Sequence, residues 1–287
     1  MPRLLVVGHV TWDRREGGDV LGGSVAYGAS TARRLGWETA ILTSAGPDFE
    51  PARDLPGVRV FCRAAPATTR FMNLYEPGGT RRQVVTARAA DIELVEELPD
   101  EWRRPDALLL GPVAGEISGF PATAFEAGCV GAIAQGWLRH IDAEGRVSPR
   151  DWAAPSRDLA GVHVLFLSEH DLAGGAARAP DFLSLVPIVA LTRGWRGLTL
   201  LTRSGSQEVP ALPRAEVDPT GAGDVFAAAF IVRYQEDGDP LVAAAFAACA
   251  ASCAVEGVGT STLGDRSEVE RRLVQREAFL EDGEWDE

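Results

Sequence analysis

Short apolar runs that alternate with helix-like stretches are the feature that most limits the fold of this chain. The runs at 3–8 (RLLVVG) and 39–46 (TAILTSAG) are continuous and apolar, which is typical of strands buried on both faces of a parallel sheet. Similar patterns follow along the chain: strands at 106–111, 129–134, 163–168, 187–192 and 198–202, and helices at 24–36, 224–235, 240–255 and 267–280. This order predicts an α/β fold with a mostly parallel central sheet and helices on both faces.

One region departs from the alternation. Residues 58–88 mix polar and apolar positions around a Pro-Gly-Gly turn, which predicts a hairpin of half-exposed strands. With residues 10–21 they are expected to form a small antiparallel sheet beside the main one. That sheet is either a surface decoration or a lid that closes over a site and excludes water. The chain is otherwise expected to be one domain over residues 1–287.

The charge composition excludes several classes of function. The chain has 41 acidic and 28 basic residues, and a net charge of −13 repels the backbone of a nucleic acid. Each of these 28 bases is an arginine, which excludes a Walker A loop, a protein-kinase site and Schiff-base chemistry because all three need lysine. The longest apolar run, at 243–255, is too short to span a bilayer, and the amino terminus lacks a signal-peptide pattern. We therefore expect a cytoplasmic protein without nucleic-acid or membrane partners.

The stretch EVDPTGAGDVFAAAF (216–230) places Gly-Ala-Gly-Asp directly before a helix-like run. The amides of Gly221, Ala222 and Gly223 would lie at the positive end of that helix, where no side chain blocks the approach of an anion. An anion bound there would repel Asp224, so the carboxylate is unfavourable unless it accepts a proton from an attacking nucleophile. The alternative is structural, because aspartate is a common helix N-cap. The local residues leave both interpretations open.

The same stretch resembles D-T-x-G-A-G-D-x-F, the carboxy-terminal signature of the ribokinase-like (PfkB-type) carbohydrate kinases. The stretches GHVTWD (8–13), GGSVAYGASTARRLG (22–36) and LTRGWRG (191–197) are similar to further motifs of that family and occur in the expected order. The resemblance implies a ribokinase-like three-layer sandwich with a β lid, and transfer of a phosphoryl group from ATP, with Mg²⁺, to an alcohol. It also implies that Asp224 is the general base and that Gly221–Gly223 form the anion hole.

The resemblance extends to the residues that would bind each partner. The acceptor would contact seven residues: Asp13, Gly22, Gly23, Tyr27, Asn73, Gln135 and Arg139. The nucleotide would contact seven others: Ser168, Thr192, Arg193, Gly194, Gly197, Ala248 and Cys249. Glu169 and Asp171 are the candidates for holding Mg²⁺ through water.

Two departures from the family pattern bear on the substrate. Tyr27 stands where the family has an asparagine facing the sugar, which favours myo-inositol or a related neutral cyclic polyol over ribose. A nucleoside is an alternative acceptor, because a base could stack on Tyr27 or Trp12. Ser168 and Asp171 replace the family's N-x-x-E motif, which leaves a non-catalytic small-molecule sensor as a further alternative. The F-x-N-x-Y pattern around Asn73 fits either contact with the polyol or dimerisation through the lid.

Overall fold

The protein is described by a computed structural model that covers residues 1–15, 17–75, 81–93, 98–117, 122–172 and 175–281; for residues 73–75 and 81–82 it describes the backbone alone. The strands are β1 Arg3–Val7, β2 Thr11–Arg15, β3 Gly18–Gly22, β4 Glu38–Ala45, β5 Arg59–Ala64, β6 Thr69–Tyr75, β7 Arg81–Ala87, β8 Ala107–Leu110, β9 Cys129–Ile133, β10 Arg139–Ile141, β11 Val147–Pro149, β12 Val164–Ser168, β13 Ile188–Thr192, β14 Leu198–Thr202 and β15 Gly205–Val209. The α-helices are α1 Ser24–Arg34, α2 Pro51–Asp54, α3 Asp100–Arg103, α4 Pro155–Asp158, α5 Ala222–Asp237, α6 Pro240–Ala254 and α7 Arg266–Glu281. Short 3₁₀ segments cover Ala122–Ala124, Ala134–Gly136, Ala176–Ser184 and Gly194–Arg196.

The main sheet confirms the predicted α/β architecture. Its strand order is β15-β14-β13-β12-β9-β8-β1-β4-β5. The strands from β13 to β5 run parallel, while β14 and β15 pair antiparallel at one edge. All four residues of β8 and all five of β9 are buried, as expected for central parallel strands.

The two faces of this sheet are covered differently. One face packs against α1, α5, α6 and α7, and α5 buries a continuous run from Val225 to Val232. The other face is covered by one-turn helices, 3₁₀ segments and loops around Trp102, which is fully buried. In the parts of the connecting stretches that the structure describes, β8, β9, β12 and β13 are joined by one-turn helices, 3₁₀ segments and loops. Across the described residues, every helix is too short or too polar to cross a bilayer.

A small second sheet is present, but the prediction of its members was partly wrong. Its order is β3-β2-β6-β7; β2 pairs parallel with β6, and the other two pairs are antiparallel. Residues 59–64, expected in this lid hairpin, instead form β5, which extends the main sheet parallel to β4. The side chains of β5 are exposed or half-buried, so this edge strand has the same mixed polar and apolar sequence as a hairpin strand. We call the four-stranded sheet the lid sheet.

A hairpin that the sequence did not predict supports the lid sheet. Strands β10 and β11 pair antiparallel, and the Val85 amide on β7 donates to the Gly145 carbonyl at 2.8 Å. Phe71 of β6 and Val85 of β7 form a small core with Val113 next to this hairpin. The lid sheet is therefore packed against the body of the protein.

Candidate active site

A cleft of about 1210 Å³ lies at the carboxyl ends of the parallel strands. Ser168 and Thr192, the last residues of β12 and β13, both line it. Open α/β sheets generally bind ligands at this edge. Because ligand pockets usually have volumes of roughly 300–1,000 Å³, the cleft has room for two small molecules side by side.

The turn before α5 is shaped by its own hydrogen bonds. The Asp218 carboxylate accepts from the Thr220 amide at 3.0 Å, and the Pro219 carbonyl accepts from the Ala222 amide at 3.2 Å. Gly221 caps the helix in the left-handed region, with φ of 83°. Because side chains disfavour that conformation, the turn requires glycine at this position.

The amides of this turn are not equally available to an anion. Within the described residues, the amides of Gly221 and Gly223 make no hydrogen bond. The Ala222 amide is already used by Pro219, so its assignment to the anion hole needs correction: the prediction took all three amides as free. Two donors at a helix amino terminus remain, which still suits a phosphate oxygen.

Tyr27 lines the cleft and supports the turn. Its ring lies against Gly221, where an added Cβ would come within 2.4 Å of the ring carbons. Tyr27 is 1% exposed, and burial together with the nearby Asp13 carboxylate raises the pKa of its hydroxyl. A ring with so little exposed surface is unfavourable for stacking on a nucleoside base, which counts against that role for Tyr27. Trp12 is not among the residues that line the cleft.

Asp224 lies in the first turn of α5 and lines the cleft. Burial raises the pKa of its carboxyl to about 6, and the neighbouring Asp13 and Asp171 add to the increase, while Arg139 opposes it. A carboxyl with a pKa near 6 is ionised at neutral pH and is also a better proton acceptor than an ordinary aspartate.

Asp13, Asp171 and Asp224 form what we call the acidic end of the cleft, and Arg139 is the cation whose charge acts on Asp171 and Asp224. Asp171 accepts a hydrogen bond from the Gln135 side chain. Burial raises the pKa of the Asp171 carboxyl, and the positive charge of Arg139 opposes this increase. Arg139 also stacks on Phe71 of the lid sheet, with its guanidinium carbon 5.9 Å from the ring centroid.

The diglycine lies directly beside Asp13. A Cβ on Gly22 would lie 2.7 Å from the Asp13 carboxylate, and one on Gly23, where φ is 87°, would lie 2.3 Å from the His9 carbonyl. Gly23 lines the cleft, whereas Gly22 does not. Both positions therefore need glycine for close packing, and Gly22 keeps the space around Asp13 open. The side chain of Asn73 lies outside the described residues.

Arg193, Arg196 and Arg214 form what we call the arginine end of the cleft. Arg193 pairs with Glu208, Arg196 donates to both oxygens of Glu169 at 2.6 and 2.7 Å, and Arg214 lies 3.4 Å from Glu256. Trp195 is 76% exposed at the same rim. Thr192, Gly194 and Gly197, which the sequence analysis assigned to the nucleotide, also line this part of the cleft.

An apolar slot adjoins the arginine end. It is lined by four residues: Leu212, Ala248, Ala251 and Val255. Cys249 of α6 does not line the slot. Its side chain is fully buried in the core, so its assignment to the nucleotide site was wrong. Adjacent positions on a helix point in directions about 100° apart, and only the packed structure decides which one faces the cleft.

No group of three or more histidine, cysteine or acidic side chains able to hold a metal ion occurs among the residues that the structure describes. Glu169 is also a poor candidate, because both of its oxygens accept from Arg196. Asp171 and Ser168 remain, and two oxygen ligands suit a Mg²⁺ ion that keeps several waters and is carried mainly by phosphates.

Sequence reasoning missed several contributors to this site. Leu212 and Arg214 line the cleft but belong to no motif, and Arg196 lines it but was not singled out within LTRGWRG. Arg15 was also missed; it forms an ion pair with Asp218, 203 positions further along the chain. The motif LTRGWRG, with glycines at 194 and 197, was the local signal for the loop that carries Arg196.

Comparison with known proteins agrees with this geometry. Residues 138–266 match the model of the pfkB family carbohydrate kinases. An ATP-dependent ribose-1-phosphate kinase of Halopiger xanaduensis is 28% identical over 277 residues, 83% of this chain and 87% of that protein. A cytidine kinase of Thermococcus kodakarensis is 25% identical over 267 residues, 83% of this chain and 90% of the other. A pyrophosphate-dependent kinase in the ribokinase family, solved with a pyrophosphate analog and myo-inositol, superposes with a TM-score of 0.70 at 22% identity, covering 93% of this chain and 99% of that one.

The fold, the cleft and the relatives define the chain as a phosphotransferase with an alcohol group as acceptor. Residues 138–266 match the pfkB family carbohydrate kinases and the fold is ribokinase-like, as the sequence motifs predicted. The relatives are named as kinases, which favours an enzyme over the alternative of a non-catalytic sensor.

Proposed function

We propose that the protein transfers the γ-phosphoryl group of ATP to one hydroxyl of a small neutral sugar or cyclic polyol, with a myo-inositol-like ring favoured. One observation carries the proposal: an aspartate with a pKa of about 6 adjoins two unpartnered glycine amides inside one cleft. A proton acceptor and an anion site next to each other are the parts that phosphoryl transfer to an alcohol requires.

In the proposed reaction, the carboxylate of Asp13 holds hydroxyls of the acceptor, and Gly22 and Gly23 let the ring approach. Asp224 takes the proton of the attacking hydroxyl as its oxygen bonds to the γ-phosphorus. The bond from that phosphorus to the β,γ-bridging oxygen breaks, and ADP leaves. The Gly221 and Gly223 amides donate to the oxygens of the phosphoryl group during the transfer, and a preorganised donor of this kind contributes roughly 3 kcal/mol.

The charge at the acidic end supports a neutral acceptor. Three carboxylates face one guanidinium there, so an acceptor that already carries a phosphate would be repelled. The Halopiger xanaduensis relative is named for a phosphorylated sugar, and this charge distribution argues against the same acceptor here. The neighbour solved with myo-inositol supports a cyclic polyol.

The slot beside the arginine end supports a nucleotide donor. Leu212, Ala248, Ala251 and Val255 offer apolar contact for a base, and Arg193 and Arg196 lie where polyphosphate oxygens would need cations. Mg²⁺ bound to the phosphates would neutralise charge on the leaving group, and Ser168 and Asp171 would hold its waters. Pyrophosphate, the donor of the structural neighbour, has no use for an apolar slot.

A nucleoside is the second candidate acceptor, supported by the likeness to cytidine kinase over 83% of the chain. With Tyr27 buried and Trp12 outside the cleft lining, a base would have to find other contacts. We further propose that the chain is one domain, that it acts in the cytoplasm where ATP is available, and that its lid sheet offers a surface for a homodimer.

An acceptor screen tests the proposal. The protein is incubated with Mg²⁺ and either ATP or pyrophosphate, together with inositols, free sugars, nucleosides or ribose-1-phosphate, and phosphomonoester products are detected by mass spectrometry. The expected result is a product with ATP and a neutral polyol or sugar. A product with ribose-1-phosphate alone would contradict the neutral acceptor, and a product with pyrophosphate alone would contradict the nucleotide donor.

A further inference from the structure

Arg15, at the end of β2 in the lid sheet, reaches the turn that carries the anion hole. Its Nη2 lies 2.6 Å from the Asp218 carboxylate and donates to the Thr220 hydroxyl at 3.3 Å. The side chains of Arg15 and Asp218 are 27% and 8% exposed, so the pair is largely withdrawn from solvent. A partly buried ion pair of this kind fixes geometry more firmly than one in open water.

The strand that carries Arg15 also carries Asp13. Residues two apart on a strand share a face and lie about 7 Å apart, so Asp13 and Arg15 form one rigid unit on β2. Asp13 lines the cleft, while Arg15 is absent from the lining and contacts the turn. Strand β2 therefore contributes Asp13 to the acceptor side of the cleft and, two residues later, Arg15 to the turn.

Asp218 is the residue through which Arg15 acts on that turn. Its second carboxylate oxygen accepts from the Thr220 amide, a contact that bends the chain immediately before Gly221. The amides of Val217 and Asp218 both donate to the Val255 carbonyl at the end of α6. The turn is thus held by α6 on one side and by the lid strand on the other.

We propose that Arg15 is a positioning residue that couples the lid strand to the anion hole. In this role Arg15 contacts neither the acceptor nor the donor. It holds Asp218 and Thr220 in place, so that the Gly221 and Gly223 amides stay aligned with the hydroxyl that Asp13 binds. This role rests on the proposed function, and it explains why Arg15 of the lid sheet forms an ion pair with the turn and does not extend into solvent.

Arg15→Met is the first variant, and Arg14→Met is its matched control. Arg14 precedes Arg15 on the same strand, is 59% exposed and, among the described residues, forms its ion pair within the hairpin, with Asp19 at 3.0 Å. Each change removes one positive charge. We expect Arg15→Met to lower kcat on the order of 10–100-fold, because a misplacement of about 1 Å costs a factor of this size, with the acceptor KM changed less than about threefold. Arg14→Met should behave like the unmodified protein.

A measurement that needs no substrate separates this inference from the proposed function. Hydrogen exchange of the segment 217–224 should be roughly tenfold faster in Arg15→Met and unchanged in Arg14→Met, because the turn loses one of its two supports. If the acceptor screen fails but this difference is found, the coupling stands without the kinase assignment. If the screen succeeds but Arg15→Met matches Arg14→Met in kcat and in exchange, the coupling is overturned.

The remaining variants test whether Arg15 acts through Asp218. Asp218→Asn should reproduce the loss of kcat, and the double variant with Arg15→Met should be no worse than either single change; additive losses would overturn the coupling. Arg15→Lys keeps the charge and should restore at least about a tenth of the lost activity. If Arg15→Met does not fold, Asp218→Asn and Arg15→Lys decide, and failure of both to fold would show that the pair serves folding alone.

Discussion

The acidic end and the arginine end of the cleft are built in opposite ways. At the acidic end the carboxylates are buried or half-buried, the backbone is fixed by its own hydrogen bonds, and partial burial raises the pKa values of Asp171 and Asp224. At the arginine end the cations are more exposed and already paired with Glu169, Glu208 and Glu256. The difference indicates that the acidic end is preorganised for the chemistry. The arginines at the other end can exchange their carboxylate partners for a bound ligand.

Asp224→Asn gives the largest predicted effect on activity. Loss of the proton acceptor should lower kcat about 10³-fold while nucleotide binding, measured by calorimetry, stays within about twofold. Asp237→Asn, at the exposed end of the same helix, is the matched control and should keep full activity. Near-normal turnover in Asp224→Asn would refute the assignment of the base.

The same substitution should also stabilise the fold. The folded-state pKa of Asp224 lies above the ordinary value, so between about pH 4 and 6 the native state binds more protons than the unfolded state. Its contribution to stability is therefore present at low pH and is lost as the pH rises through about 6. Removing the charge should raise the free energy of unfolding at pH 8 by about 1 kcal/mol, a value reduced for partial exposure of the side chain. Denaturant titrations at pH 4 and pH 8 would check it; a gain equal at both would contradict the cause.

Gly221→Ala and Gly223→Ala form a pair that tests the rigidity of the turn. A Cβ at 221 would strike the Tyr27 ring in a left-handed backbone conformation, whereas a Cβ at 223 meets nothing within 4 Å. We expect Gly221→Ala to lower the free energy of unfolding by about 2–3 kcal/mol and Gly223→Ala to change it by less than about 1 kcal/mol. Equal stabilities in thermal melts would contradict the packing of Tyr27 under the turn.

Arg139→Met tests the electrostatics of the acidic end. Arg139 lowers the pKa of both Asp171 and Asp224, so its removal should move the acidic limb of the kcat profile to higher pH. Loss of its stacking on Phe71 should also raise the acceptor KM by about threefold to tenfold. A limb that stays in place would show that Arg139 does not act on the base.

Arg196→Met at the arginine end should have the smallest effect. Its pair with Glu169 is exposed, so the free energy of unfolding should change by less than about 1 kcal/mol. If the cation exchanges Glu169 for phosphate oxygens, the KM for ATP should rise about threefold to tenfold with kcat unchanged. A fall in kcat at constant KM would show that Arg196 acts in the transition state. It would contradict the division of the cleft into a chemical end and a binding end.

The two ends also differ in how well the sequence predicted them. The turn from Asp218 to Asp224 is local, so a short motif was enough to locate both the donors and the carboxylate. The sequence could not show that Glu169 is paired, because its partner Arg196 comes from a different loop, 27 positions away. Cys249 and Ala248 are adjacent on one helix, and only packing against the core decides which of them faces the cleft.

The same limit applied to the fold. Buried parallel strands have continuous apolar runs, so the main sheet followed directly from the sequence. The side chains of strand β5 are exposed or half-buried, and its mixed polar and apolar sequence resembled that of the lid strands. The hairpin β10–β11 has three residues in each strand, too few for a periodic pattern to be recognised.

The pH dependence of a single turnover tests the central claim most directly. Label transfer from γ-labelled ATP to the acceptor found in the screen would be followed by rapid quench between pH 4.5 and 9 under saturating conditions. The account predicts a rate that rises tenfold per pH unit to a limit set by a pKa of about 6 and is then constant, because Asp224 must be ionised to take the proton. A rate independent of pH across 5 to 7, or a limb that persists in Asp224→Asn, would contradict it.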